Sequence, residues 1–536
     1  MTTSVNPLEL TLISDTHYYS KKTGVAGPAY ERDNQKSQKL LRDAEEVIRA
    51  AFRQIAKDGR SDIVLLSGDV TNNGELTSHE EIRALLRELQ LAGKRVFVLT
   101  ATHDYDKAHG YDGDQRIPVP SAEREDLWEM YRAFGPDQAF AVHRESMSYA
   151  AKLADGYRLL ALNDDRDGEG HCGFNEELMD WIRAQVADAQ AAGDFVLPMT
   201  HHPMLPPSPF YAIIGKGDMM NHYEQRAGEF ADMGLPFCFT GHTHIQDISF
   251  LRSPSGRVFY DLSTPSLVGY PGTLRHITAD AAANTLRVST EYITEPADLP
   301  GGDGDLQSRF ANQFFGMIRD VLAAAATDID RFAEMATAFS IRPRFSYRFG
   351  WLIKPVAKWF NRLTVGKVGR WTRAETGLRP EEYTDIQNET VVSFIISLVM
   401  YLFAGNSPYG PDTAHYKITI GLLNIIDSFL RALGIRFGKI IKGADSVRSL
   451  VEPLLYNSGI DDAEATLPLT PTEEQLRALC APTRKETVRP SRKGPWLLAA
   501  LVCLLIVLLP FLPLLALAFG GMLLVNQARY GKKMTR

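Results

Sequence analysis

Five short polar segments, each closing an apolar run, constrain this chain more than any other feature. They are Asp15-Thr16-His17, Gly68-Asp69, Thr102-His103-Asp104, His201-His202-Pro203 and Gly241-His242-Thr243-His244. The runs before them (Leu8 to Ile13, Ile63 to Leu66, Val96 to Leu99, Phe195 to Leu197, Pro236 to Phe239) read as strands, so the polar residues fall where a strand stops and a loop begins. α/β proteins place their chemistry at such strand ends. Apolar residues at helical spacing over Asn34 to Lys57, Ser78 to Ala92 and Glu176 to Ala192 predict helices between these strands. After the last segment, Ile248 to Leu251, Val258 to Leu262, Leu274 to Thr278 and Leu286 to Ile293 predict strands alone. Two sheets packed face to face with helices outside fit this order.

Neutral imidazole and carboxylate together suit borderline divalent ions such as Mn, Fe or Zn, whereas all-oxygen sites favour Mg or Ca. A bridging carboxylate can hold two such ions ~3.5–4 Å apart, with a hydroxide between them as nucleophile. The order Asp-x-His, Gly-Asp, His-Asp, His, Gly-His-x-His resembles the calcineurin-like metallophosphoesterases, over roughly residues 7 to 297. The resemblance implies a four-layer α/β/β/α sandwich with two divalent metal ions. It implies that Asp15, His17 and His244 hold one ion, that Asp69 bridges both, and that His201 and His242 hold the second. His103 would protonate the leaving oxygen, a task suited to a group with an unperturbed pKa of ~6.5, with Asp104 orienting its ring. Thr102 stands where the family usually has a ligand Asn, and Ala101 where Gly is usual. A hydroxyl is a poorer donor than an amide oxygen, so the second metal site is expected to be the weaker. His202, between His201 and Pro203, is expected on the substrate side. The loops Tyr18 to Asp33, Tyr105 to Pro120 and Leu205 to Tyr223 follow the motifs and are long enough to shape substrate choice.

Charge divides the chain. Residues 1 to 300 hold 29 Lys and Arg against 44 Asp and Glu, net −15, and residues 301 to 536 hold 29 against 21, net +8. The acidic part has no basic face for a phosphate backbone, which argues against nucleic acid as a partner. Cys172, Cys238, Cys480 and Cys503 show no paired spacing and no signal sequence precedes the first strand, which points to a reduced, cytoplasmic catalytic domain. We therefore expect a metallophosphoesterase domain over 1–297, a helical domain over 298–483 and a hydrophobic anchor over 484–536.

In the helical part, Leu306 to Thr327, Asp328 to Phe339, Thr390 to Phe403, Lys417 to Lys442 and Val447 to Tyr456 read as helices. Val391 to Phe403 is strongly apolar but too short to cross a bilayer, so a core helix is expected. Between 335 and 374 there is no acidic residue, while the nine Lys and Arg from Arg342 to Arg373 are interleaved with seven aromatic residues. This mixture suits an anionic membrane surface, or else a basic face packed on the acidic domain. Trp496 to Val525 is 30 residues without a charge, and a run of ~20 suffices to span a bilayer. Basic residues flank it on both sides, leaving open a single tilted span or a hairpin at Leu509 to Pro513.

The expected function is a membrane-anchored hydrolase that faces the cytoplasm and cleaves a phosphodiester, phosphomonoester or pyrophosphate, a lipid-linked phosphoester being one candidate. The alternative is a metal-binding scaffold or sensor of the same fold that has lost turnover.

Overall fold

The computed structural model describes residues 6–479 apart from 209–210, 213–214, 300–304, 337–342, 406, 441–443 and 457–458. The anchor segment 496–525 lies outside the described residues.

The chain runs through β1 (Leu8–Ile13), α1 (Pro28–Asn34), α2 (Ala44–Lys57), β2 (Ile63–Ser67), α3 (Leu76–Leu91), β3 (Arg95–Leu99) and the small hairpin β4 (Gly110–Asp112) and β5 (Gln115–Ile117). There follow β6 (Ala139–His143), β7 (Ser148–Ala154), β8 (Tyr157–Ala161), α4 (Glu176–Ala192), β9 (Phe195–Met199), α5 (Tyr223–Met233) and β10 (Phe237–Thr240). The strands β11 (Asp247–Arg252), β12 (Val258–Ser263), β13 (Thr273–Asp280) and β14 (Thr285–Tyr292) complete this half. The helices α6 (Leu306–Thr327), α7 (Ile329–Ala336), α8 (Pro343–Phe360), α9 (Val365–Thr376), α10 (Val391–Ala404), α11 (Ala414–Ala432) and α12 (Val447–Leu455) come next, and then β15 (Glu464–Pro468).

Two sheets form, ordered β15-β14-β13-β1-β2-β3 and β11-β12-β10-β9-β8-β7-β6. Side chains alternate across a strand, and the layers follow from that. Leu8, Leu10 and Leu12, Leu65, Phe97, Leu159, Leu197, Phe237 and Phe239 all enter one core between the sheets. Their neighbours Ile13, Val64, Leu66, Val96 and Val98 turn outward onto α2 and α3. On the other sheet, Leu160 and Cys238 turn onto α4 and α5. The strands β1, β2 and β3 are parallel; β2 and β3, covered on both faces, read as nearly continuous apolar runs, whereas β1 still alternates Leu with Glu9 and Thr11.

Four sequence expectations need correction. The helix expected over Asn34 to Lys57 begins at Ala44, because Leu40 N–H donates to Val268 O (2.8 Å) and Lys39 bridges Gly269 as an extended residue. Backbone committed to another segment cannot enter a helix. The helix expected to reach Lys442 ends at Ala432, where Gly434 adopts φ 72° and Ile435 N–H caps Leu430 O, a common helix stop. The strands β6 to β8 were not anticipated, because in β7 much of the apolar face is Ala, with Ala151 beside Tyr149 and Leu153.

The largest correction concerns the domain following residue 298, which is not purely helical. β15 pairs antiparallel with β14, setting Leu467 opposite Leu286, and so adds the edge strand of the first sheet. The same stretch supplies Asp462, whose Oδ1 accepts Ile248 N–H at 2.8 Å and whose carbonyl accepts Arg275 Nη2 at 2.7 Å. The end of α10 reaches the loop after the last motif, where Gln246 N–H donates to Phe403 O (3.0 Å) and Gln246 Nε2 to Ala404 O (2.8 Å). As expected, α10 is a core helix, burying Phe394, Leu398, Val399, Leu402 and Phe403. Among the described residues no helix is long and apolar enough to cross a membrane.

Candidate metal centre

Five of the motif residues, Asp15, His17, Asp69, His242 and His244, sit at positive φ, between 38° and 66°. Non-glycine residues seldom adopt this conformation, and its cost concentrates at functional sites. Here it lets loops leave the strand ends and double back on each other: Asp15 N–H donates to Gly68 O (3.1 Å) and His17 N–H to Asp69 O (2.9 Å). The motif glycines allow the closest approaches. A Cβ on Gly68 would lie 2.3 Å from His201 Nδ1, and one on Gly241 would lie 2.0 Å from Ser14 Oγ.

Asp15, Asp69, His103 and His201 each have one polar end tied to protein and the other left over. Asp15 Oδ2 accepts from Ser14 Oγ (2.5 Å) and His242 N–H (3.0 Å). Asp69 Oδ1 accepts from His103 N–H at 3.1 Å. His201 Nδ1 donates to Ser67 O at 2.8 Å, and His103 Nδ1 to Asn72 O at 2.5 Å. The opposite ends, Asp15 Oδ1, Asp69 Oδ2, His201 Nε2 and His103 Nε2, are buried without a hydrogen-bond partner. Uncompensated burial of such groups is costly.

These leftover atoms converge. His17 Nε2 is 3.0 Å from His244 Nε2 and 3.5 Å from Asp15 Oδ1, and His244 Nε2 is 3.2 Å from Asp15 Oδ1. Asp69 Oδ2 lies 3.2 Å from His201 Nε2 and 3.8 Å from His17 Nε2. Donors ~2.1 Å from one ion at tetrahedral or octahedral angles stand roughly 3.0–3.4 Å apart. Four overlapping groups result: Asp15, His17 and His244; His17, Asp69 and His103; Asp15, Asp69 and His201; His201, His202 and His242. Asp15, His17, Asp69 and His201 each belong to two of them, so the groups adjoin and the donor set fits two adjacent cations. Electrostatics agree on the carboxylates: against the effect of burial, the surrounding imidazoles hold Asp15 and Asp69 well below the usual range.

Two sequence assignments change in detail. Asp104 does not touch the His103 ring. Its carboxylate accepts Thr71 N–H and Ala101 N–H, both at 2.8 Å, and Thr71 Oγ1 at 3.1 Å. It therefore shapes the loop, and Asn72 O orients the imidazole. His202 lies among the candidate donors, its ring 4.2 Å from that of His242 and its Nδ1 3.2 Å from Asp164 Oδ1. Thr102 is buried on the loop before His103.

Sequence reasoning missed three neighbours. Asp164 also accepts His202 N–H (2.8 Å); it follows β8, so recognising that strand would have exposed Asn163-Asp164-Asp165 as a sixth polar strand end. Asn72 holds His103 through its carbonyl and Lys39 through its Oδ1, with Lys39 Nζ at 2.7 Å. Lys39 is buried, and desolvation pulls its pKa down to about 8 despite Asp69 and Asp15. Nothing in its local sequence marks it.

The first two long loops pack on each other. Tyr111 of the β4–β5 hairpin packs on Tyr19 and Tyr30 at 6.3 and 5.3 Å between ring centres, and Arg116 pairs with Asp33 at 2.6 Å, joining the first two loops. In the third, Tyr211 and Met219 enter the same core as the helical region.

The family model for calcineurin-like phosphoesterases matches residues 8–246, which span all five motifs. That segment is the part of the chain that the calcineurin-like phosphoesterase family describes, and the match supports a hydrolase acting on phosphoric esters. Solved structures similar to it include a dimetal phosphatase from Danio rerio, 14% identical with a TM-score of 0.39, covering 54% of this chain and 98% of that one. A purple acid phosphatase from yellow lupin is 12% identical with a TM-score of 0.33, covering 56% of this chain and 53% of that one. A phosphopantetheinyl hydrolase from Mycobacterium tuberculosis is 14% identical with a TM-score of 0.26, covering 48% of this chain and 90% of that one. No curated protein matches the chain.

Proposed function

We propose that the protein is a dinuclear metallophosphoesterase held at a membrane, hydrolysing a phosphomonoester, phosphodiester or pyrophosphate whose alcohol or phosphate part lies at the lipid surface. The observation that carries this reading is the convergence of Asp15 Oδ1, Asp69 Oδ2 and His201 Nε2, all buried and without partners, while their other polar ends are already bonded to protein.

Asp15, His17 and His244 would hold one ion, Asp69 would be shared, and His201 and His242 would hold the second, with His202 beside them. Two bound divalent ions, of which Mn, Fe and Zn suit these donors, supply Lewis acidity to a phosphoryl group and a nucleophile at neutral pH. The protein's own part is positional and protonic. With His103 Nδ1 committed to Asn72 O, only Nε2 is left to carry a proton toward the leaving oxygen. Burial, opposed by Asp69, pushes His103 well below its usual pKa, so an anionic phosphoryl group is what would favour the charged ring. Transfer of the Nε2 proton then neutralises the departing oxygen.

Anchoring rests on the uncharged residues 496–525, and a cytoplasmic catalytic domain on cysteines that show no paired spacing in the sequence. The test is hydrolysis by the full chain, in detergent, of an alkyl phosphate, a diester and a pyrophosphate across added Mn, Fe and Zn, with bound metal measured on the same sample. Turnover that rises with two bound ions supports the reading. Two tightly bound ions with no turnover on any substrate would favour the scaffold.

A further inference from the structure

Helix α8 presents its surface the wrong way round for a soluble protein. Its inner face is conventional, with Ser346, Ile353, Ala357 and Phe360 buried against the helical core that includes α6 and α7. Its outer face carries Tyr347, Trp351 and Trp359, which are 55%, 76% and 39% exposed. Between them stand Arg344, Arg348, Lys354, Lys358 and Arg362, all exposed. Spacings of three, four and seven residues set these groups along one side of the helix.

Among the described residues none of the five cations makes an ion pair, although pairs are common on the acidic catalytic half. The face continues beyond the helix: Trp359 stacks on Trp371 of α9 (6.2 Å, 11°), whose exposed cations are Lys367, Arg370 and Arg373. A large indole three-quarters exposed amid unneutralised cations needs a partner that takes both.

We propose that the outer face of α8, extended by α9, is a docking surface for an anionic lipid bilayer, lying in the headgroup plane without crossing it. The chemistry is matched on both counts: indole and phenol rings settle at headgroup depth, and Lys and Arg meet phosphate there, each worth roughly fivefold in partitioning. A nucleic-acid duplex, its bases stacked inside, would use the cations and leave Trp351 in water. The catalytic half, net −15, cannot supply the attraction, so the helical half alone would turn toward the membrane. The proposal takes from the proposed function only that residues 496–525 bring a bilayer within reach, and its test separates the two.

A benzoylphenylalanine photoprobe replaces Trp351, Leu91 or Leu505 in three versions of the full chain. Leu91 is a control on the catalytic half with the same 76% exposure. Each is irradiated with vesicles of phosphatidylcholine alone or mixed with phosphatidylglycerol, and adducts are identified by mass spectrometry. The expected result is lipid adducts at 351 at least about tenfold above those at 91 in the anionic vesicles, which should fall as salt shortens the screening length from about 10 to about 3 Å. Adducts at 505 but not 351 would overturn the docking surface and leave the anchor standing; adducts at 351 but not 505 would do the reverse. Adducts at 351 only to protein would mean that the face packs on another chain. Loss of the lipid adducts to added duplex RNA, with RNA adducts in their place, would assign the face to nucleic acid. Hydrolysis assayed on the same samples keeps either failure distinct from loss of the enzyme.

Discussion

The interior of the catalytic half and the exterior of α8 break the same rule in opposite directions. One buries carboxylates and imidazoles that proteins usually leave in water; the other leaves in water aromatic rings that proteins usually bury. In the first, Asp15, Asp69 and His201 are fully buried and each has a polar atom without a partner. In the second, Trp351 is 76% exposed. Both are uncomfortable as the protein stands alone, and each discomfort specifies what would relieve it: cations inside, and an anionic amphipathic surface outside.

The comparison breaks most easily at Asp69. Asp69→Asn removes the charge shared by both donor groups while keeping its shape, so bound metal should fall sharply and turnover by roughly 10³-fold or more, with the fold intact by circular dichroism. Unchanged metal content in that variant would end the dinuclear reading. His103→Ala should cost ~10²–10⁴-fold on alkyl esters and far less on nitrophenyl esters, whose leaving groups need little protonation. Equal losses on the two would make His103 a positioning residue.

Outside, replacing Arg348, Lys354 and Lys358 together by Gln should weaken binding to anionic vesicles by roughly 10²-fold, from about fivefold per lost charge, and leave hydrolysis of a soluble substrate unchanged. A matching loss of hydrolysis would mean that the two regions are less separate than their chemistry. Their mechanical separation can be examined at Asp462. Asp462→Ala leaves the buried Ile248 N–H without its acceptor, which should cost ~1–3 kcal/mol, and thermal melting should still show both halves unfolding in one transition. The smallest effect is expected for Thr102→Asn: a several-fold gain in activity at limiting metal and almost none at saturation. A wild type that already binds two ions tightly would remove the reason for any gain.

How much of this could be read in the sequence depended on whether the signal was local. Strand β1 followed by Asp15 and His17 is a run of adjacent residues, and the strands leading into the five motifs were legible for that reason. The strands β13 and β14, adjacent in sequence, were legible too, β14 by the alternation of Leu286 and Val288 with polar residues. Strand β15 was not, because Glu464 to Pro468 gains its meaning from a partner strand ending at Tyr292, far back in the chain. Lys39 is of the same kind: only folding brings its ammonium to Asn72. The role of Asp104 failed differently. The family resemblance implied contact with the His103 ring, yet the carboxylate serves Thr71 and Ala101. Asp164 went unseen because β8, the short strand that leads into it, went unrecognised along with its Ala-rich neighbour β7.

The edge strand β15 has a consequence for anyone who would divide the gene. A clone stopped near residue 300, the natural choice from the composition alone, would yield a sheet with β14 unzipped along one side. It would also strip Arg275, which is wholly enclosed, of the Asp462 carbonyl that receives its guanidinium. A naked strand edge is a template for self-association. Such a product should be recovered as inclusion bodies or soluble oligomers, and its inactivity would say nothing about the enzyme. The working unit for expression therefore closes after β15, not before α6.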